Sequence, residues 1–126
     1  MDMTKTIHLV DDDDAVRESL RMLLEVHGLN VRAFPSANAL LEDPQGENAD
    51  CFLLDLHMPG LSGLELLELL RKRGNFTPAI LLTGCYDPLL SARLSKANIF
   101  VVLQKPPGTS TLLAAIKSAA AANVRQ

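Results

Sequence analysis

Four places in this sequence carry side chains able to hold a cation or receive a charged group. The acidic run Asp11-Asp12-Asp13-Asp14 follows the apolar Ile7–Val10, and Asp55 follows Cys51–Leu54. Thr83 follows Ala79–Leu82, and Lys105 lies just past Ile99–Leu103. Taken singly, each has a structural explanation. Acidic residues ahead of a helix cap it or complement its dipole, which suits Asp13 and Asp14. Asp55 ahead of Pro59-Gly60 reads as a turn former, a threonine at a strand end as structural, and a lone lysine as solvated. The combination is more specific. Carboxylates gathered at one place repel each other and stay ionised only beside compensating positive charge. Ligands that are all oxygen suit Mg²⁺, which keeps some waters and commonly shares its coordination with phosphate. Lys105 and the Thr83 hydroxyl can meet the remaining oxygens of a phosphoryl group, and a carboxylate is a competent nucleophile that forms an aspartyl phosphate.

Bringing these places together is the task of the elements between them. Five apolar stretches recur: Ile7–Val10, Val31–Phe34, Cys51–Leu54, Ala79–Leu82 and Ile99–Leu103. All but the second are nearly continuous, as expected of strands covered on both faces. Val31–Phe34 is interrupted by Arg32 and reads as an edge strand. Helical spacing links Val16, Leu20, Leu23, Leu24 and His27, with Gly28 as a stop. Ser36 caps a short segment holding Leu40 and Leu41. Ser62 and Glu65 make a capping box ahead of Leu66, Leu67 and Leu70, ended by Gly74. Asp87-Pro88 opens a helix through Leu90, Leu94 and Ala97, and Leu112, Leu113, Ile116 and Ala119 form the last stripe. Strand–helix alternation with short connections predicts a parallel sheet, right-handed crossovers and helices on both faces. Ligand sites in such sheets lie beyond the carboxyl ends of the strands, where the strand order reverses. All four places lie on that rim. Glu42–Asp50, with its Pro, Gly and Asn, reads as the least ordered stretch. Ala119–Gln126 reads as helix end, linker or boundary.

The bulk properties narrow the class. A chain of 126 residues fits one ordinary domain, and 48% apolar residues against 21% charged allow a core. The basic residues are scattered apart from Arg71-Lys72-Arg73, and the net charge is −3, which argues against a nucleic-acid surface. No apolar run is long enough to span a membrane, and Met1–Thr6 is too short and polar for a signal peptide. Cys51 and Cys85 lack metal-ligand spacing and read as reduced, buried thiols of a cytoplasmic protein.

Over about Ile7–Ala120 the sequence resembles the CheY-like receiver domains of bacterial two-component response regulators. The resemblance rests on Val10-Asp11-Asp12 with Val16-Arg17, and on Leu54-Asp55-Leu56-His57-Met58-Pro59-Gly60 with Gly63. Leu82-Thr83-Gly84 and Lys105-Pro106 complete it. The extended acidic run before Val16-Arg17-Glu18-Ser19-Leu20 looks closest to the FixJ-type subgroup. The resemblance implies a flavodoxin-like α/β fold with a five-stranded parallel sheet in the order 2-1-3-4-5. It implies a receiver domain over residues 6–121 and a C-terminal tail or start of a linker over 122–126. Asp55 would accept the phosphoryl group. Asp12 would ligate Mg²⁺ directly, Asp11 partly through water, with Asp55 and the His57 backbone carbonyl completing the protein ligands. Thr83 would bond the phosphoryl group and move, Lys105 would pair with its oxygens, Lys105-Pro106 would be cis, and Pro59 and Gly63 would shape the loop after Asp55. The implied partners are a sensor histidine kinase or phosphotransfer protein, a second copy in a phosphorylation-dependent homodimer, and an output domain, DNA-binding in the FixJ-type case. The chain reads either as a stand-alone receiver or as the N-terminal part of a longer regulator.

Departures from the family pattern fall on the signal path. Val102 stands where many receivers carry Phe or Tyr, Asn98-Ile99 replaces a common Gly-Ala, and Pro107 replaces Phe after Lys-Pro. His57 and Cys85 each lie two residues past a key position; His57 reads as solvent-facing, and Cys85 as locally packed. A haloacid-dehalogenase-type phosphatase, using Asp11, Asp13, Thr83 and Lys105, needs a further acidic ligand after the lysine. No Asp or Glu follows Pro106. A receiver-shaped module unable to accept phosphate is disfavoured by the complete acceptor set.

Overall fold

Strand and helix alternate from Thr6 onward in a computed structural model that describes residues 4–122. The elements are β1 (Thr6–Val10), α1 (Asp14–Val26), β2 (Asn30–Phe34), α2 (Ala37–Glu42), β3 (Cys51–Asp55) and α3 (Gly63–Lys72). Then come β4 (Ala79–Thr83), a 3₁₀ turn over Pro88–Leu90, α4 (Ser91–Lys96), β5 (Val101–Gln104) and α5 (Thr109–Ala122). The five strands are all parallel, in the order β2-β1-β3-β4-β5. This is the CheY-like, flavodoxin-like arrangement, and its strand order reverses between β1 and β3.

Successive residues of a strand face opposite ways, which divides the core in two. Phe52, Leu54 and Leu81 pack with Leu40, Leu66, Leu67 and Leu94 from α2, α3 and α4. Cys51, Leu53, Ile80 and Leu82 pack with Leu20, Leu24, Leu112 and Ile116 from α1 and α5. The helix starts follow local chemistry. Asp13 accepts from the Val16 N–H, Ser36 from Ala39, and Ser62 and Glu65 form the reciprocal capping box. Asp87 accepts from the Leu89 N–H, but Pro88 opens the 3₁₀ turn, with α4 following from Ser91.

Several expectations need correction. The fifth strand begins at Val101 rather than Ile99, because Asn98 takes a left-handed turn (φ 56°) ahead of it. It is an edge strand and only partly covered, so its apolar run does not mark burial on both faces. Glu42–Asp50 is tied down. Arg32 pairs with Asp43, His8 Nδ1 lies 2.7 Å from the Gly46 carbonyl oxygen, and Asn75 donates to the Glu47 carbonyl. A Cβ on Gly46 would lie 1.8 Å from the Leu40 carbonyl oxygen, so the loop is packed against α2. Cys51 is buried, which pushes its thiol up to about 12, but Cys85 is exposed in the loop leaving β4. Of the expected tail, Ala122 closes α5 and residues 123–126 lie outside the described residues. Among the described residues no helix is long and apolar enough to cross a membrane.

Candidate functional site

At the strand-order reversal the chain places three carboxylates on one rim. Asp11, Asp12 and Asp55 each offer an oxygen, all within 4.8 Å of one another. Asp11, the first residue past β1, is fully buried and bonded through every polar atom. Its N–H donates to the Phe34 carbonyl (3.2 Å), and its carbonyl accepts from Arg17 Nη1 (2.8 Å). Its Oδ1 accepts the Asp13 N–H (2.9 Å), and its Oδ2 accepts from Lys105 Nζ (2.9 Å). Asp55 closes β3. Its Oδ1 accepts the His57 N–H (3.2 Å), and its Oδ2 lies 3.2 Å from Lys105 Nζ. Asp12 is exposed, and its side chain has no hydrogen bond or ion pair to the described residues.

One ammonium therefore bridges two buried carboxylates. Burial raises the Asp55 carboxyl above its ordinary range and Asp11 adds to the rise, while Lys105 and the His57 N–H act against it. Burial works to lower Lys105, but the hydrogen bonds and charges of Asp11 and Asp55 outweigh it and hold the ammonium above its usual value. The donor set fits Mg²⁺. Ligand distances of about 2.0–2.1 Å in octahedral geometry put adjacent oxygens about 2.9 Å and opposed oxygens about 4.2 Å apart, and the three carboxylates gather oxygens within 4.8 Å, close enough to converge on one such ion.

The other expected residues are arranged less uniformly. Thr83 is buried at the end of β4, but its hydroxyl is turned onto its own loop. It donates to the Cys85 carbonyl (2.8 Å) and accepts the Cys85 N–H (3.1 Å), so it is not bonded to the Asp55–Lys105 pair. The His57 side chain is exposed. Pro59 is exposed beside Gly60, which makes the left-handed turn (φ 77°). Gly63 passes so close that a Cβ would lie 2.3 Å from the Asp55 carbonyl oxygen, and the Lys105-Pro106 peptide is cis. Val102 pairs with Leu81 and packs partly buried against the core on the α2–α4 face.

Two arginines escaped the sequence reading as individual actors. Arg17 appeared only as part of a motif, yet it holds the Asp11 carbonyl. Arg71 appeared only in a basic cluster, yet it donates to the carbonyls of Asn75, Thr77, Ala97 and Asn98. Their partners are backbone oxygens, which no side-chain pattern announces.

A family model described as the response regulator receiver domain matches residues 7–117. The chain belongs to that family. Among curated relatives, this receiver domain is 39% identical over 120 residues to the transcriptional regulatory protein FixJ of Azorhizobium caulinodans, covering 95% of this chain and 57% of that protein. It is 36% identical over 118 residues to the response regulator protein TmoT of Ectopseudomonas mendocina, covering 94% of this chain and 54% of that one. The crystal structure of FixJ-N superposes with a TM-score of 0.86 at 33% identity, over 100% of both chains. The receiver domain thus spans little more than half the length of these curated relatives, which are signalling regulators rather than classical enzymes. Membership implies phosphoacceptor signalling. Receiver domains bind Mg²⁺ at an acidic pocket, and Asp11, Asp12 and Asp55 form an acidic cluster here.

Proposed function

We propose that this receiver domain takes a phosphoryl group onto Asp55 from the phosphohistidine of a sensor histidine kinase or phosphotransfer protein, and that the modified state controls a downstream output. The observation that carries this reading is Lys105 Nζ held between Asp11 Oδ2 (2.9 Å) and Asp55 Oδ2 (3.2 Å) beside the exposed Asp12. An Asp55 carboxylate oxygen forms a bond to phosphorus as the P–N bond to the donor imidazole breaks. The electron pair leaves on that nitrogen, and because the other ring nitrogen of the donor carries a proton, the imidazole departs neutral and no further proton is needed. Lys105 moves with the transferred oxygens, offsetting charge without giving up a proton. A bound Mg²⁺ would supply the remaining charge neutralisation.

The bonding around the two neighbouring acids supports a division of labour. Both Asp11 oxygens are committed, to Asp13 and Lys105, so Asp11 serves the cation best through water. Among the described residues Asp12 has no partner for its side-chain oxygens, and it would be the direct ligand together with Asp55; the His57 carbonyl would be a further ligand. Phosphorylation is self-catalysed once a donor is present, and hydrolysis back to the carboxylate is slow.

Donor access is supported by an apolar groove of about 470 Å³ beside the site, lined by Ala15, Val16, Ser19, Leu20, Lys105, Pro106 and Pro107. Ala15, Ser19, Met22 and Val26 extend it as an exposed stripe along α1, the spacing a partner helix would follow. Thr83 is the switch. A phosphoryl group on Asp55 competes for its hydroxyl, and the Cys85 loop is released when that hydroxyl turns. We assign the domain to the cytoplasm, with a DNA-binding output as in FixJ and a phosphorylation-dependent homodimer as the active form. Intact mass after treatment with acetyl phosphate and Mg²⁺ tests the acceptor. One phosphoryl group should add to the wild type and none to Asp55→Asn; full incorporation into the variant would reject the reading.

A further inference from the structure

We infer that Arg17 is a positioning residue for the divalent cation: it aims the Asp12 carboxylate by holding the peptide plane between Asp11 and Asp12. This rests on reading Asp11, Asp12 and Asp55 as the cation's seat. Arg17 lies on the first turn of α1, its own N–H donating to the Asp13 carbonyl (2.9 Å). Its side chain reaches back over the acidic turn. Nη1 donates to the Asp11 carbonyl at 2.8 Å, and Nη2 pairs with Asp14 Oδ1. The Asp11 carbonyl oxygen shares a rigid plane with the Asp12 nitrogen and Cα. Fixing that oxygen therefore fixes the position of the Asp12 Cα, the atom from which its side chain springs. Among the described residues Asp12 has no side-chain partner to hold it otherwise, whereas Asp11 is pinned at its N–H and both carboxylate oxygens. The guanidinium fork spans two acceptors on the same turn at once, which a lysine ammonium does with less directional control.

Positioning and plain electrostatics predict opposite signs, which makes the idea testable. As a mere positive charge near a cation seat, Arg17 weakens Mg²⁺ binding, and its removal should tighten it. As the residue that aims Asp12, its removal should loosen it. The experiment is titration calorimetry of Mg²⁺ into wild type, Arg17→Met, Arg17→Lys and Asp14→Asn, with circular dichroism to verify folding. Arg17→Met should weaken Mg²⁺ about tenfold, the lower range for outer partners of metal ligands. Arg17→Lys should recover part of that loss, and Asp14→Asn should cost less than Arg17→Met. Unchanged or tighter binding by Arg17→Met overturns the proposal. If Arg17→Met does not fold, Arg17→Lys decides, and wild-type affinity in it overturns the proposal. Asp12→Ala separates the two levels of the argument. If it too binds Mg²⁺ normally, the seat itself is misassigned; if it fails while Arg17→Met binds normally, only the role of Arg17 is rejected.

Discussion

Removing the Asp12 carboxylate should make the metal-free protein more stable and make it indifferent to Mg²⁺. Asp12 lies within 4.8 Å of both Asp11 and Asp55, and at that distance two like charges repel by about 0.9 kcal/mol in water and about 3.5 kcal/mol at an effective dielectric of 20. Asp12 is exposed, so the lower figure applies. The repulsion from Asp11 persists in the unfolded chain because the two are sequence neighbours, which leaves the Asp55 pair as the contribution specific to the fold. The Lys105 ammonium bonded to Asp55 offsets part of that repulsion, so Asp12→Ala should raise stability by at most about 1 kcal/mol. Scaled over 126 residues, the usual unfolding entropy converts this into at most roughly 4 °C in Tm. The assay is thermal unfolding in EDTA and across a Mg²⁺ series. In wild type, Mg²⁺ at a hundredfold excess over its Kd should add about 2.7 kcal/mol; in the variant the curve should be nearly flat. At 1 M salt, where the screening length falls to about 3 Å, the gap in EDTA should shrink. A variant that melts below wild type in EDTA, or whose Tm climbs with Mg²⁺ in parallel with wild type, would refute the reasoning.

Three further outcomes follow from the geometry. Asp55 titrates above its ordinary value of 3.8 in the fold, so its contribution favours the native state at low pH and is lost as pH rises through the folded value. In metal-free buffer the Tm of Asp55→Asn relative to wild type should thus rise from pH 4 toward neutrality, and a flat difference would reject the shift. Gly63→Ala should cost about 1–3 kcal/mol and slow phosphorylation, because its Cβ would press on the Asp55 backbone; urea melts and acetyl phosphate kinetics read both effects. With beryllofluoride bound, amide exchange should change over Thr83–Arg93 and much less in Thr83→Ala, whereas unchanged exchange in wild type would exclude this route for the signal.

What the sequence disclosed was local or periodic. Asp13, Ser36, Ser62 with Glu65, and Asp87 each bond a backbone group within three residues, so residue type and spacing suffice to place them. The convergence of Asp11, Asp12, Asp55 and Lys105 was legible because every one of them follows a strand-like run and the sheet is parallel. The rest depended on neighbours. The apolar β5 resembles an interior strand, and only the sheet order makes it an edge. Asp11 and Asp12 are the same residue type one position apart, and the alternation of an extended chain sends one inward and the other to solvent. A threonine hydroxyl rotates freely, so the Thr83 bond to the Cys85 loop could not be read from its position.

That bond also determines how far the signal can travel. Moving Thr83 toward a phosphoryl group gives up two hydrogen bonds to Cys85, roughly 1 kcal/mol each, so the added charge of about −2 must supply more than that before the switch favours one state. The released segment is poorly anchored. The 3₁₀ turn Pro88–Leu90 buries none of its residues, and Leu89 is 88% exposed. The far end of α4 is different: Leu94 and Ala97 are buried, and Arg71 holds the Ala97 and Asn98 carbonyls at 2.8 and 3.1 Å. Motion begun at Thr83 should therefore be spent in the loop and the first turn of α4. No aromatic stands at Val102 to carry it into β5, because that position is filled by a small side chain packed in the core cluster beside Leu81. The output surface of this receiver should accordingly centre on the β4–α4 loop, where Tyr86 and Leu89 are already exposed, rather than on the face of β5.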